Sequence, residues 1–223
     1  MKDRLLIFDM DNTLLHSRID FALMKQEVGR LLEEADIAFD YQRPVSDNLS
    51  VLQAQGVLFG ELYQRIWNRI GEIENIGLQD ALLEPGVEWV LAQLSQKVAL
   101  AVLSNNMDHM VHKCLHQLGV DHYFELICGR EAVPALKPCP EGIGFMLDFC
   151  PQIVAAQTWM IGDALIDAKA SRGAGIGFIA YNRSRDENWL KLDRAPELYL
   201  KGWDDTAVAK ILELIYPGGC YGW

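Results

Sequence analysis

Asp9 and Asp11 stand two residues apart in Asp9-Met10-Asp11-Asn12-Thr13, directly after the apolar run Leu5-Leu6-Ile7-Phe8. In an extended segment alternate side chains point the same way, so Asp9, Asp11 and Thr13 are expected to project together from a strand's end. Two carboxylates this close repel each other, and a hard divalent cation with oxygen ligands, Mg²⁺ above all, is the natural neutraliser. Further along, Ser104-Asn105-Asn106 follows the apolar residues 98–103, Lys137 lies a loop beyond residues 124–128, and Gly162, Asp163 and Asp167 follow residues 158–161. Carboxylates, a hydroxyl and a lysine converging on one edge suit metal-assisted attack on a phosphate. Each group also has an ordinary reading: an Asp/Asn turn, a cap for the next helix, a solvated loop lysine, acids favoured at a helix N-terminus. Those separate readings explain poorly why each group falls at its own strand's end.

The elements that must position these residues are legible from periodicity. Residues 5–8, 98–103, 124–128, 158–162 and 176–181 are predicted strands, and residues 87–94, 107–118, 140–149, 165–174 and 204–215 predicted helices. Strands alternating with helices imply an α/β, Rossmann-like, doubly wound parallel sheet, with ligands at the strands' carboxyl ends near the switch in strand order. Residues 16–83 read as wholly helical, with no strand. Phe21, Met24, Val28, Leu31 and Leu32 recur at helical spacing in 20–37; Ser46 or Asp47 is expected to cap a second helix through Gln55; a third spans 59–76. The expected division is a core of residues 1–15 and 84–223 interrupted by a helical domain of residues 16–83. The tail, 217–223, is expected to be loose.

The 223 residues carry 20 Lys and Arg against 31 Asp and Glu, a net charge of −11. That balance argues against nucleic acid and anionic membrane as partners. Cys114, Cys128, Cys139, Cys150 and Cys220 are scattered and form no C-x-x-C pair, so neither a disulfide framework nor a zinc site is suggested. Only four apolar residues follow Lys2-Asp3-Arg4, too few for a secretion signal, and the expected compartment is the cytoplasm.

The chain resembles the haloacid dehalogenase-like (HAD) hydrolase superfamily. Asp9-Met10-Asp11-Asn12-Thr13 matches its D-x-D-x-T motif, Ser104 its Ser/Thr after an apolar strand, Lys137 its lysine, and Gly162-Asp163-Ala164-Leu165-Ile166-Asp167 its G-D-x-x-x-D. The helical insert resembles the C1-type cap of the phosphatase branch, of the phosphoglycolate phosphatase kind. The resemblance implies that Asp9 is the nucleophile, forming an aspartyl-phosphate, and that Asp11 is the general acid and then the base. It implies Mg²⁺ on the Asp9 carboxylate, the Asp11 carbonyl and Asp163, with Asp167 behind them or holding Lys137. Ser104, Asn105 and Lys137 are implied to bind the phosphoryl group, and Thr13 to orient the first loop. His16 is placed among the substrate contacts, with exposure at a hinge as the alternative. Arg18, Arg65, Arg69 and Trp67 are further candidates for reading the substrate.

Asn12 stands where glycine is common and Ala164 where serine is frequent. Asp11 favours phosphate esters over halides, which leave without a proton. A lysine-dependent phosphonate chemistry is discounted, since Lys25 is the insert's only lysine and sits among amphipathic-helix positions. The expected activity is hydrolysis of a small phosphomonoester by a monomer or homodimer. A phosphomutase and a non-catalytic phosphate-binding module are the alternatives; a signalling receiver domain fits less well, lacking a large helical insert. Gly173-x-Gly175-x-Gly177 precedes a strand instead of following one, so it is no dinucleotide fingerprint. His109, His112 and His116 are read as a mixed helix surface.

Overall fold

The computed structural model describes residues 2–181 and 193–218. Of the tail expected to be loose, residues 219–223, with Cys220, lie outside them. Among the described residues β1 (Leu5–Phe8), β4 (Ala99–Leu103), β5 (Leu126–Cys128), β6 (Thr158–Gly162), β7 (Gly177–Tyr181) and β8 (Leu198–Leu200) form a six-stranded sheet in the order β5-β4-β1-β6-β7-β8. Every adjacent pair is parallel. β1 is central because it is apolar on both faces. Leu6 and Phe8 join the core beneath α4 (Val87–Ser95), α5 (Asp108–Gln117) and α8 (Asp205–Ile215), while Leu5 and Ile7 join the core beneath α6 (Glu141–Asp148) and α7 (Leu165–Gly173). The expected α/β doubly wound core is the observed one. β8 is an additional edge strand that the sequence reading did not contain.

The chain runs outward from β1 to β4 and β5, then returns to the other side of β1 for β6. β1 therefore sits where connections leave in opposite directions, the position at which such sheets bind ligands. The register aligns the strand ends. Phe8 lies between Val102 and Ile161, the Asp9 amide donates to the Ile161 carbonyl at 2.9 Å, and the Ser104 amide donates to the Cys128 carbonyl at 3.0 Å.

The insert holds α1 (Phe21–Glu33), α2 (Val45–Ala54) and α3 (Gly60–Leu78). Met24, Val28, Leu31, Leu32, Leu49, Leu52, Ile66, Ile70 and Ile73 are buried together, each contributing about 1.5–3 kcal/mol through removal from water. Three details differ from the sequence reading. Helix α1 stops at Glu33 because residues 34–36 turn, with Asp36 at a φ of 57°. Helix α2 begins at Val45 behind Pro44, with no side-chain cap from Ser46 or Asp47. The insert also contains strand residues: β2 (Leu15–His16) pairs antiparallel with β3 (Leu82–Leu83), joining the two crossings between core and cap. Two-residue strands carry no readable periodicity.

Candidate active site

Residues 10–15 form a compact turn at the end of β1. The Leu14 and Leu15 amides donate to the Met10 carbonyl, and the Asn12 amide to the Leu15 carbonyl at 2.7 Å. Asn12 adopts a φ of 57°, a left-handed conformation that Asn tolerates where glycine is common in the family motif. Met10 turns into the core. Asp9 and Asp11 face a cavity of about 550 Å³ between sheet and cap, lined also by Ser104, Asn105, Lys137, Asp163 and Asp167. Thr13 lies behind them, fully buried, with its Oγ1 3.5 Å from Asp9 Oδ2. The Thr13 carbonyl accepts from Trp203 Nε1 at 2.8 Å, and Trp203 stacks on Tyr181, so the far edge of the molecule fixes the first loop.

Lys137 is the electrostatic centre. Its side chain is 1% exposed, and its Nζ donates to Asp9 Oδ1 at 2.5 Å and to Asp167 Oδ1 at 2.8 Å. Burial alone would lower the ammonium's pKa; Asp167 and Asp9 outweigh it and hold the pKa above its usual value. The other Asp167 oxygen accepts the Ala164 amide at 3.0 Å, at the start of α7. Burial pushes Asp167 up to about 6 despite Lys137. Gly162 makes this approach possible, since a Cβ there would overlap the Asp167 carboxylate. The Lys137–Pro138 peptide is cis. The Asn105 side chain clamps the Lys137 backbone in both directions, donating to its carbonyl at 2.8 Å and accepting from its amide at 2.9 Å.

Asp11 lies in a different environment. Asn106 Nδ2 donates to its Oδ2 at 2.5 Å. Burial first, and then the charge of Asp9, raise its pKa to about 7, against the pull of the Ser17 and Asn106 side chains. Asp9 thus lies against an ammonium, whereas Asp11, buried beside it, is ready to hold a proton at neutral pH.

The set also fits a hard divalent cation. Asp9, Asp163 and Asp167 each offer a carboxylate oxygen, and these atoms lie within 4.8 Å of one another. Three carboxylate oxygens this close make a hard donor set that suits Mg²⁺ better than softer metals.

The structure does not bring His16 to the cavity; it is exposed on the β2 hinge strand. Arg18, Arg65 and Arg69 form ion pairs with Asp80, with Glu34, and with Glu27 and Glu72, away from the cavity lining. Trp67 does line it. His112 and His116 sit near Asp108 and Asp121 on the exposed face of α5. The sequence reading assigned no role to Asn106, nor to the Glu74–Arg130 pair. Arg130 Nη1 donates to both Glu74 oxygens at 2.6 and 2.7 Å, joining cap helix α3 to the loop after β5. Glu74 also accepts the Met107 amide at 3.2 Å, and the Arg130 guanidinium lies 4.7 Å from the Trp67 ring centre. Only the doubled asparagine after Ser104 hinted at Asn106; a pair separated by 56 residues gives no local signal.

Acids, serine and lysine gathered at the strand ends around the switch point make a site suited to phosphate chemistry. Residues 6–181 match the haloacid dehalogenase-like hydrolase family, and the chain belongs to it. It is similar to the phosphoglycolate phosphatase of Vibrio cholerae, 29% identical over 195 residues that cover 77% of this chain and 81% of that protein. It is also similar to that of Thiobacillus denitrificans, 27% identical, covering 84% and 88%. Among solved structures, a HAD-superfamily hydrolase from Ehrlichia chaffeensis shares the fold with a TM-score of 0.60 at 21% identity, covering 96% of this chain and 99% of that one. Among the described residues no helix is long and apolar enough to cross a membrane.

Proposed function

We propose that the protein hydrolyses a small-molecule phosphomonoester in a Mg²⁺-dependent reaction through an aspartyl-phosphate on Asp9. The observation that carries this reading is the pairing of Asp9, which accepts from Lys137 Nζ at 2.5 Å, with Asp11, whose pKa is raised to about 7. An Asp9 carboxylate oxygen forms a bond to phosphorus as the ester P–O bond breaks, and the Asp11 proton passes to the leaving oxygen. Water then attacks the phosphoaspartate, returns a proton to Asp11, and releases phosphate and free Asp9. Lys137 and Ser104 hold phosphoryl oxygens and balance the charge that grows on them. Asp167 and Asn105 hold Lys137 at side chain and backbone. Asp9, Asp163 and the Asp11 carbonyl would hold the Mg²⁺, which when bound supplies positive charge to the phosphate.

The test is phosphate release from a panel of sugar phosphates, nucleotides, amino-acid phosphates and phosphoglycolate, with Mg²⁺ or with chelator, and with Asp9→Asn as control. Mg²⁺-dependent release that the substitution abolishes supports the reading. No release from any ester, or full turnover by Asp9→Asn, sinks it. Phosphoglycolate belongs in the panel because the relatives are named for it.

A further inference from the structure

Asn106 stands where the first loop, the loop after β4 and the loop after β5 meet beneath the cap. It is 6% exposed, and its Nδ2 donates to Asp11 Oδ2 at 2.5 Å. Its backbone is pinned on both sides. The Asn106 amide donates to Ser104 Oγ at 3.1 Å, and the Asn106 carbonyl accepts the Arg130 amide at 2.9 Å. The Met107 amide, next in the chain, donates to Glu74 on cap helix α3, and Arg130 in turn donates to Glu74. The loop after β5 comes this close because Gly129 has no side chain; a Cβ there would overlap the Asp108 backbone and press on the Asn106 carbonyl. The Asp11 carboxyl has less to hold it. Its Oδ1 is buried with no hydrogen-bond partner among the described residues, and the Ser17 hydroxyl, beside the hinge strand β2, approaches the carboxyl.

We propose that, within the phosphatase reading above, Asn106 is the positioning residue of the acid: its amide holds the Asp11 carboxyl at the cavity, where that carboxyl gives its proton to the ester oxygen as the P–O bond breaks. A side-chain amide nitrogen only donates and carries no charge, so it anchors one carboxyl oxygen without itself supplying or taking up the proton. Proton transfer needs the acid within hydrogen-bond reach of the leaving oxygen, and a displacement of about 1 Å can cost on the order of 10²-fold in rate. A carboxyl in a turn, anchored through one oxygen, meets that requirement while its anchor stays in place. The contacts of residue 106 to Ser104 and Arg130 keep the anchor there.

The experiment compares kcat/KM, with Mg²⁺, for two kinds of ester: the alkyl phosphate of the panel above that turns over fastest, and 2,4-dinitrophenyl phosphate. An alkoxide must be protonated as it leaves, whereas dinitrophenolate departs as a stable anion, so only the first ester reads the acid. Asn106→Leu keeps the volume of the side chain and removes the donor; Asn106→Ala removes both; circular dichroism verifies the fold of each. Each should lower kcat/KM for the alkyl ester about tenfold or more beyond its effect on the dinitrophenyl ester, a part of the roughly 10²–10⁴-fold that a positioned acid supplies. A side chain that only supported the fold would lower both esters alike. Asp11→Asn should show the same selectivity, and adding Asn106→Leu to it should bring no further selective loss, because Asn106 acts through Asp11. Equal losses on the two esters in folded Asn106→Leu, or a further selective loss in the double variant, overturn the inference and leave the phosphatase reading standing. So does a selective loss in Ser17→Ala that Asn106→Leu does not share. Absence of phosphate from every ester overturns both.

Discussion

Asp9 and Asp11 are two residues apart yet sit among different partners. Asp9 lies against an ammonium; Asp11 is buried, near that negative charge, with a neutral amide on one oxygen. With Asp11 at about 7, kcat/KM should fall toward tenfold per unit as pH rises above 7 and the acid loses its proton. Asp11→Asn should lower activity by about 10²–10⁴-fold and remove that limb from the pH profile. Stability should respond in the opposite sense. The Asp11 carboxyl titrates near 3.8 when unfolded and near 7 when folded, so the folded state binds the extra proton between these values. It therefore costs stability progressively as pH rises through that window. In chelator, Asp11→Asn should raise Tm at pH 8 and have little effect near pH 4, measured by thermal unfolding. The motif residues at this scale were readable because the chemistry demands their types at fixed spacing. Asn106 was not, since its bond to Asp11 spans 95 residues.

At the scale of elements, two contacts decide whether the site is assembled. Helix α7 can bring Asp167 under Lys137 only because Gly162 has no Cβ. Gly162→Ala should displace the Asp167 carboxylate, loosen Lys137, and lower kcat by about tenfold or more, which the same phosphate assay would register. Cap helix α3 meets the core through Glu74 and Arg130, whose side chains are 3% and 4% exposed. Removing one partner leaves a buried charge, so Arg130→Met should cost about 3–5 kcal/mol in urea unfolding, whereas the double replacement Glu74→Gln with Arg130→Met should recover part of that loss. Long helices and buried strands declared themselves through their periods. The hinge strands β2 and β3 did not, because two residues carry no period and they exist only through each other.

Across the whole molecule, the excess of acids gathers partly at one place, where Asp9, Asp163 and Asp167 lie close together. Mg²⁺ should therefore raise Tm in proportion to ln(1 + [Mg²⁺]/Kd), and Asp163→Asn should abolish most of that rise, as a titration followed by differential scanning fluorimetry would show. The class of sheet, the helices of the insert and the candidates Asp9, Asp11, Ser104, Lys137, Asp163 and Asp167, which the fold brings to one cavity, were all legible in the sequence. Strand and helix periods are local, and phosphate chemistry restricts which residue types can follow each strand. Tertiary structure alone decided that Lys137 also reaches Asp9, that Asn105 clamps its backbone, that Asn106 meets Asp11, and that His16 stays at the hinge. Those outcomes depend on how register, closure of the cap and burial bring together residues far apart in the chain, and no local pattern records such distances.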